Sequence, residues 1–173
     1  FVLWLRKLQE RGDEPAAGAA HSSAVQIMSI HKSKGLEFPV VFLCDTARRF
    51  NRQDSRDTVL VHPVLGLGPK LTDTENRVEY PTLARNAIRL RLEREMLSEE
   101  MRLLYVAMTR ARERLFMTAS VKRPEETLEK AASAVSRPMA PEILGQAASM
   151  AGWLIYAALA DGGGHLSMSI PGT

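Results

Sequence analysis

Two short runs rich in branched apolar residues, 25–30 and 40–44, bracket a polar loop that holds a single glycine, Gly35. Apolar runs of that length predict strands buried on both faces, as in parallel sheets. Pro81 then opens a long helical stretch, from Thr82 to about Ala111, in which Leu83, Ala87, Leu90, Leu97, Leu104 and Met108 recur at roughly helical spacing. Residues 115–121 read as a further strand. Strand, loop, strand, helix, strand in that order predicts an α/β layer on a mostly parallel sheet, because parallel neighbours need a crossover between them. Ligands gather at the carboxyl ends of strands in such sheets, so the loop after Ile30 is the predicted place for chemistry.

Between the second strand and the helix, residues 58–63, 66–71 and 77–80 are shorter strand candidates separated by Gly, Pro, Asp and Asn, which predicts a small β insertion. At the front, residues 1–11 carry Val2, Leu5 and Leu8 at the spacing of a short amphipathic helix, and the Gly-, Ala- and Ser-rich residues 12–23 read as a linker. Behind the sheet, residues 125–135, 142–146 and 150–160 read as flanking helices, with Asp161-Gly162-Gly163-Gly164 ending the last. Residues 162–173 read as a loosely ordered end or the start of a linker. The predicted organisation is a lead-in at 1–23, an α/β unit at 24–122 and a helical extension at 123–173.

The bulk numbers narrow the class. In 173 residues, 45% hydrophobic and 25% charged composition suits a water-soluble globular chain with a core. A net charge of +3 permits a nucleic-acid partner without requiring one. Arg48, Arg49, Arg52 and Arg56 form one basic cluster, and Arg85, Arg89, Arg91 and Arg94 another; each is either a solvated face or a contact surface. The lone cysteine, Cys44, excludes an internal disulfide and reads as a small buried hydrophobe in a reducing compartment. No signal peptide and no apolar run of membrane-spanning length is present, so no membrane partner is expected. Phe1 in the first position suggests a piece of a longer chain.

Several residues in this frame have candidate chemistry. Gly35 can take a positive φ or admit a ligand close to the backbone. The Glu37 carboxylate can accept hydrogen bonds from ribose hydroxyls. His31, Lys32, Ser33 and Lys34 can offer hydrogen bonds or charge to phosphates, although each also reads as an ordinary polar loop residue. Arg110 ends the long helix just ahead of a strand. Its planar fork suits two phosphoryl oxygens at once, which Lys does not match; equally, it is a cation well placed at a helix C-terminus.

Two longer segments bear on those alternatives. Residues 28–43, Met-Ser-Ile-His-Lys-Ser-Lys-Gly-Leu-Glu-Phe-Pro-Val-Val-Phe-Leu, resemble motif V of the UvrD/RecB-type DNA helicases. Residues 104–115, Leu-Tyr-Val-Ala-Met-Thr-Arg-Ala-Arg-Glu-Arg-Leu, resemble motif VI of the same group. The resemblance implies a partial RecA-like domain of the P-loop NTPase type that closes over ATP and Mg²⁺ held by a first RecA-like domain of the same parent chain. It implies that Arg110 reaches the γ-phosphate as an arginine finger and that Glu37 meets the ribose. Ser29 and His31 fall on positions that touch single-stranded DNA, while Lys34 and Gly35 lie between the DNA and ATP contacts. Such a finger is worth roughly 10³- to 10⁵-fold in rate.

Glu37 and Arg110 lie 73 positions apart, from 37 to 110, a longer spacing than in the simpler UvrD-like helicases. The intervening residues 77–84 and 96–102, the Trp153 helix and the Trp4–Gly12 stretch resemble the AddA-type helicase–nuclease subunits. That resemblance implies a parent acting on single-stranded and duplex DNA in double-strand break repair, an AddB-like partner subunit in a heterodimer, and a bacterial cytoplasmic, nucleoid-associated setting. Against it stand several departures. The chain has no Gly-x-x-x-x-Gly-Lys-Ser/Thr phosphate loop, no paired acidic residues of a magnesium-binding strand, no motif IV and no carboxylate-rich nuclease domain. The chain alone is therefore expected neither to hydrolyse ATP nor to hold it tightly. The alternatives are a UvrD-like helicase without nuclease and a non-catalytic DNA-binding or assembly module.

Overall fold

A computed structural model describes residues 24–135, 141–162 and 164–170. The expected helix at 1–11 and linker at 12–23 lie outside the described residues, as do 136–140, 163 and 171–173. The fold is mixed α/β. Strand β1 (Phe38–Leu43) is followed by a short 3-10 turn (Asp54–Arg56) and four short strands, β2 (Leu60–His62), β3 (Gly66–Gly68), β4 (Lys70–Asp73) and β5 (Val78–Pro81). Then come the long helix α1 (Leu83–Met108), strand β6 (Ala111–Met117) and helices α2 (Pro124–Ala134), α3 (Pro141–Gln146) and α4 (Met150–Asp161).

β1 and β6 form a parallel pair, with Val41 opposite Leu115, Phe42 opposite Phe116 and Leu43 opposite Met117. The connection between them carries α1, as a parallel pair requires, and β2–β3 and β4–β5 are antiparallel hairpins inserted ahead of that helix. β6 begins four residues earlier than the sequence pattern suggests and ends before Thr118.

Residues 25–30 are not a strand. Val25 is 93% exposed and Ile27 89%, and no described strand pairs with them. A strand is held by ladder bonds to a neighbour, and an apolar run without that neighbour stays irregular. β1 is also not buried on both faces. Leu43 is buried, while Phe42 and Phe116 stack on the opposite face with ring centroids 4.8 Å apart and remain 65% and 43% exposed. Cys44, one residue past the strand, is exposed rather than buried.

The core lies on the other side of that pair. Leu43, Phe50, Leu104, Ala107, Ala147 and Trp153 form one buried cluster, with Leu115, Met117 and Leu154 against it. Trp153 anchors it: the indole Nε1 donates to Leu144 O at 2.8 Å, and the ring sits 4.7 Å from Phe50. Phe50 N donates to Ala148 O and Ala151 N to Thr46 O, tying the loop after β1 to the start of α4.

The two halves of α1 bury different faces. Near its C-terminus Leu104 meets the core, as the helical spacing predicts, beside Ala107 rather than the exposed Met108, but near its N-terminus Leu83 and Leu90 are exposed and Ile88 and Arg85 are buried. Here the inserted hairpins, not the parallel sheet, cover the helix. Gly68 lets β3 approach so closely that a Cβ on it would lie 2.7 Å from Arg85 Cα. The Arg85 guanidinium donates to the carbonyls of Asp57, Thr58 and Gly68. His62, also buried, pairs through Nε2 with Glu95 on α1, while its Nδ1 accepts from Val64 N and Leu65 N. Two backbone donors on Nδ1 place the ring proton on Nε2. Of the second basic cluster, Arg85 is thus structural, and Arg89 and Arg91 pair along the helix with Glu93 and Glu95. α1 starts at a Thr82 cap, whose side chain accepts from Arg85 N.

Candidate functional site

The loop ahead of β1 and the end of α1 meet at one end of the parallel pair. Relative to β1 and β6 this is the amino end, not the carboxyl end the sequence order suggests, because residues 25–30 do not add a strand in front of the loop. Residues 30–35 form a compact turn. Ser33 N donates to Ser29 O and Ile30 O, Lys34 N to His31 O, and Leu36 N to Ser33 O. Gly35 closes it with φ of +84°, a conformation that costs other residues strain. Ser33 is buried and its hydroxyl donates to Ile30 O at 2.7 Å, so it holds the turn together rather than facing a phosphate.

The remaining loop residues point outward. Ser29, His31, Lys32 and Lys34 are exposed on the turn. The Ser29 hydroxyl accepts from Lys32 N at 3.3 Å. Glu37 follows the turn, exposed, with its carboxylate 3.8 Å from Arg112 Nε. An ion pair that open to solvent contributes little to stability, so the carboxylate is available to a ligand.

Arg110 enters the same place from the opposite strand. α1 ends in a tight turn, with Thr109 N donating to Tyr105 O and Arg110 N to Ala107 O. The Arg110 carbonyl accepts from Phe38 N at 2.9 Å, the first link between the two strands. Its side chain folds over that link. Nε donates to Val106 O at 3.0 Å, Nη1 to Leu36 O at 2.8 Å and Nη2 to Thr109 Oγ1 at 3.1 Å. A guanidinium has five N–H donors, so these three bonds leave one N–H on each Nη. The Thr109 hydroxyl in turn offers its proton to Tyr105 O and Val106 O, each 3.0 Å away.

The fold therefore brings Arg110, Gly35 and Glu37 to one edge, with Ser29, His31 and Lys34 on the turn beside them. Arg110 is both the cation at a helix C-terminus and the fork beside the loop; the two readings of it are compatible. Three groups were not apparent from the sequence pattern: the Leu36 carbonyl, the Thr109 hydroxyl and Arg112. A backbone carbonyl leaves no trace in a pattern of side chains, whereas Thr109 was detectable as a hydroxyl adjacent to Arg110.

The donor set suits part of a nucleotide. A fork with two unspent N–H groups matches phosphoryl oxygens, and an exposed carboxylate matches ribose hydroxyls. Among the described residues no group of three or more His, Cys, Asp or Glu side chains is placed to hold a metal ion. No helix among them is long and apolar enough to cross a membrane.

Comparison with known proteins gives the family. The model of the UvrD-like helicase C-terminal domain matches residues 6–122. The A subunit of an ATP-dependent helicase/nuclease from Desulforudis audaxviator is 45% identical over 171 residues, covering 95% of this chain and 14% of that protein. Proteins of the same name from Ruminiclostridium cellulolyticum and Natranaerobius thermophilus are 47% and 51% identical over 133 and 131 residues, or 75% and 74% of this chain. The chain spans 11% and 10% of those two relatives.

Proposed function

Because the chain belongs to the UvrD-like helicase C-terminal domain family, we propose that it is one segment of an ATP-dependent DNA helicase/nuclease subunit. In this reading it forms the half of an ATP cleft that closes over nucleotide held by another domain of the same parent. The parent hydrolyses ATP, translocates on single-stranded DNA, unwinds duplex and degrades ends in double-strand break repair and recombination. The relatives are named as helicase/nuclease proteins, which supports a parent with a nuclease over a helicase without one. Their being named as subunits supports a second polypeptide, of the AddB kind, in a heterodimer. Such a complex acts in the bacterial cytoplasm, on the nucleoid.

One observation carries the reading: the Arg110 fork is bonded to Leu36 O, two residues ahead of the first strand and next to Glu37. The two motifs are thereby one surface, with Arg110 directed to the γ-phosphate and Glu37 to the ribose. Gly35 shapes the turn that joins them to Ser29, His31 and Lys34, the candidate contacts to the DNA backbone. Charge that develops on the transferring phosphoryl group meets a preset cation when the cleft closes, which is how arginine fingers accelerate hydrolysis. Magnesium neutralises phosphate charge in such sites; in this reading it sits with the phosphate loop of the parent's other domain. The chain alone lacks that loop and is inactive.

The test is single-strand-stimulated ATP hydrolysis by the full-length parent, wild type against Arg110→Ala. Turnover should fall by roughly 10³-fold or more while ATP still binds. Unchanged turnover would remove Arg110 from the reaction and favour a non-catalytic DNA-binding or assembly module.

A further inference from the structure

We propose that Thr109 is a positioning residue that sets the direction of the Arg110 fork through its side-chain hydroxyl. The inference rests on Arg110 serving the γ-phosphate. Nothing in the motif comparison assigns this task to the threonine.

A guanidinium at the end of a long side chain has many rotamers, and order must be imposed on it before it can meet a phosphoryl group in one geometry. Here the order comes from three acceptors on different sides. Val106 O holds Nε and Leu36 O holds Nη1, both of them backbone carbonyls. Thr109 Oγ1 holds Nη2 and is the one side-chain group of the three. It does so as an acceptor because its own proton is taken by the carbonyls of Tyr105 and Val106, which lie at the end of α1. The hydroxyl thus relays the position of the helix end to the fork.

The count of donors gives the consequence. With Nε and one N–H of each Nη engaged, the two remaining N–H groups sit on different nitrogens, the arrangement that meets two oxygens of one phosphoryl group. Without the hydroxyl, Nη2 loses its acceptor among the described residues, and the fork keeps two anchors in place of three, Nε on Val106 O and Nη1 on Leu36 O, so its direction is set less tightly. A misdirected fork still contributes positive charge to nucleotide binding, but it no longer meets the transition state in one orientation. Loss should therefore appear in kcat more than in KM.

The experiment uses single-stranded DNA and the full-length parent in complex with its partner polypeptide. Thr109→Val replaces the hydroxyl by a methyl group of similar shape, Thr109→Ser keeps the hydroxyl, and Arg110→Ala is measured alongside. We expect Thr109→Val to lower kcat about tenfold, the equivalent of ~1.4 kcal/mol. KM for ATP should stay within about twofold and Thr109→Ser should restore kcat to within about twofold of wild type. Wild-type kcat in Thr109→Val overturns the inference. So does a kcat loss that serine leaves unrepaired, or an equal loss of ATP binding, since either is what a purely structural threonine would produce. If Arg110→Ala itself retains full turnover, the γ-phosphate assignment fails and this inference falls with it; a collapse in Arg110→Ala beside normal Thr109→Val kinetics rejects the threonine alone.

Discussion

Arg110 Nη1 lies 2.8 Å from the carbonyl oxygen of Leu36, across 74 positions of sequence. The bond joins the end of α1 to the loop ahead of β1, and it is reinforced by Phe38 N donating to the Arg110 carbonyl. Any displacement of the loop therefore moves an acceptor of the fork, and any movement of the fork pulls on the loop. In the proposed reading, contacts to DNA on the turn and contacts to nucleotide at the fork share one hydrogen-bonded unit.

Gly35 is the residue on which that unit turns. Its φ of +84° is unfavourable for any residue with a Cβ, although open space surrounds the position. Gly35→Ala should destabilise the chain by about 1 kcal/mol, from backbone strain alone. Urea unfolding gives the number; an unchanged midpoint would mean that the turn relaxes without cost.

Lys34 is exposed on the same turn, where its ammonium group can reach a phosphate. In the full-length parent, Lys34→Gln should weaken single-strand binding and reduce the salt slope of log K by about 0.7. Equal weakening on pyrimidine and purine homopolymers is expected, since a backbone contact reads no base. Titrations across a salt series check both, and an unaltered slope would take Lys34 off the DNA.

Arg85 holds the insertion to α1. Arg85→Met should cost about 2–3 kcal/mol, because it leaves the buried Gly68 carbonyl and the partly buried Thr58 carbonyl without their charged donor. Arg85→Lys should recover little, since one ammonium cannot span the same carbonyls as a planar fork. Chemical denaturation of the three proteins side by side measures the order.

Asp161 caps the turn that follows α4. Its carboxylate accepts from His165 N at 2.6 Å and from Leu166 N at 3.2 Å, and its other oxygen lies 3.2 Å from His165 Nδ1. The His165 backbone bond, then the His165 side chain, hold its pKa down at about 2. Depression in the folded state means that this turn gains stability above the ordinary carboxylate value of 3.8 and loses it as the pH falls through about 2. Carboxyl NMR titration should give a midpoint near 2 for Asp161, with the His165 and Leu166 amide resonances moving together. A midpoint at the ordinary 3.8 would show that the cap does not form.

Much of this architecture was legible in the residues. Pro81 and Thr82 announced the start of α1, and the turn residues between 58 and 80 announced a β insertion, because helix starts and tight turns depend on local backbone chemistry. The Trp153 helix was visible for the same reason. What failed were expectations that depend on neighbours. Residues 25–30 are apolar enough for a strand, yet nothing described pairs with them. Leu83 and Leu90 have the right spacing for a core face, yet the insertion covers the helix on the side of Ile88 and Arg85.

The same division applies to the site. The side chains at 28–43 and 104–115 are enough to place the chain in its family and to name the candidate chemistry of Glu37 and Arg110. That the two segments share an edge, that Ser33 turns inward, and that Arg110 is held by Leu36, Val106 and Thr109 emerges from the packing. Side-chain identity is written locally along the chain. The partners that aim a side chain are backbone groups brought together by the β1–β6 pairing, and no pattern of residues records where a carbonyl points.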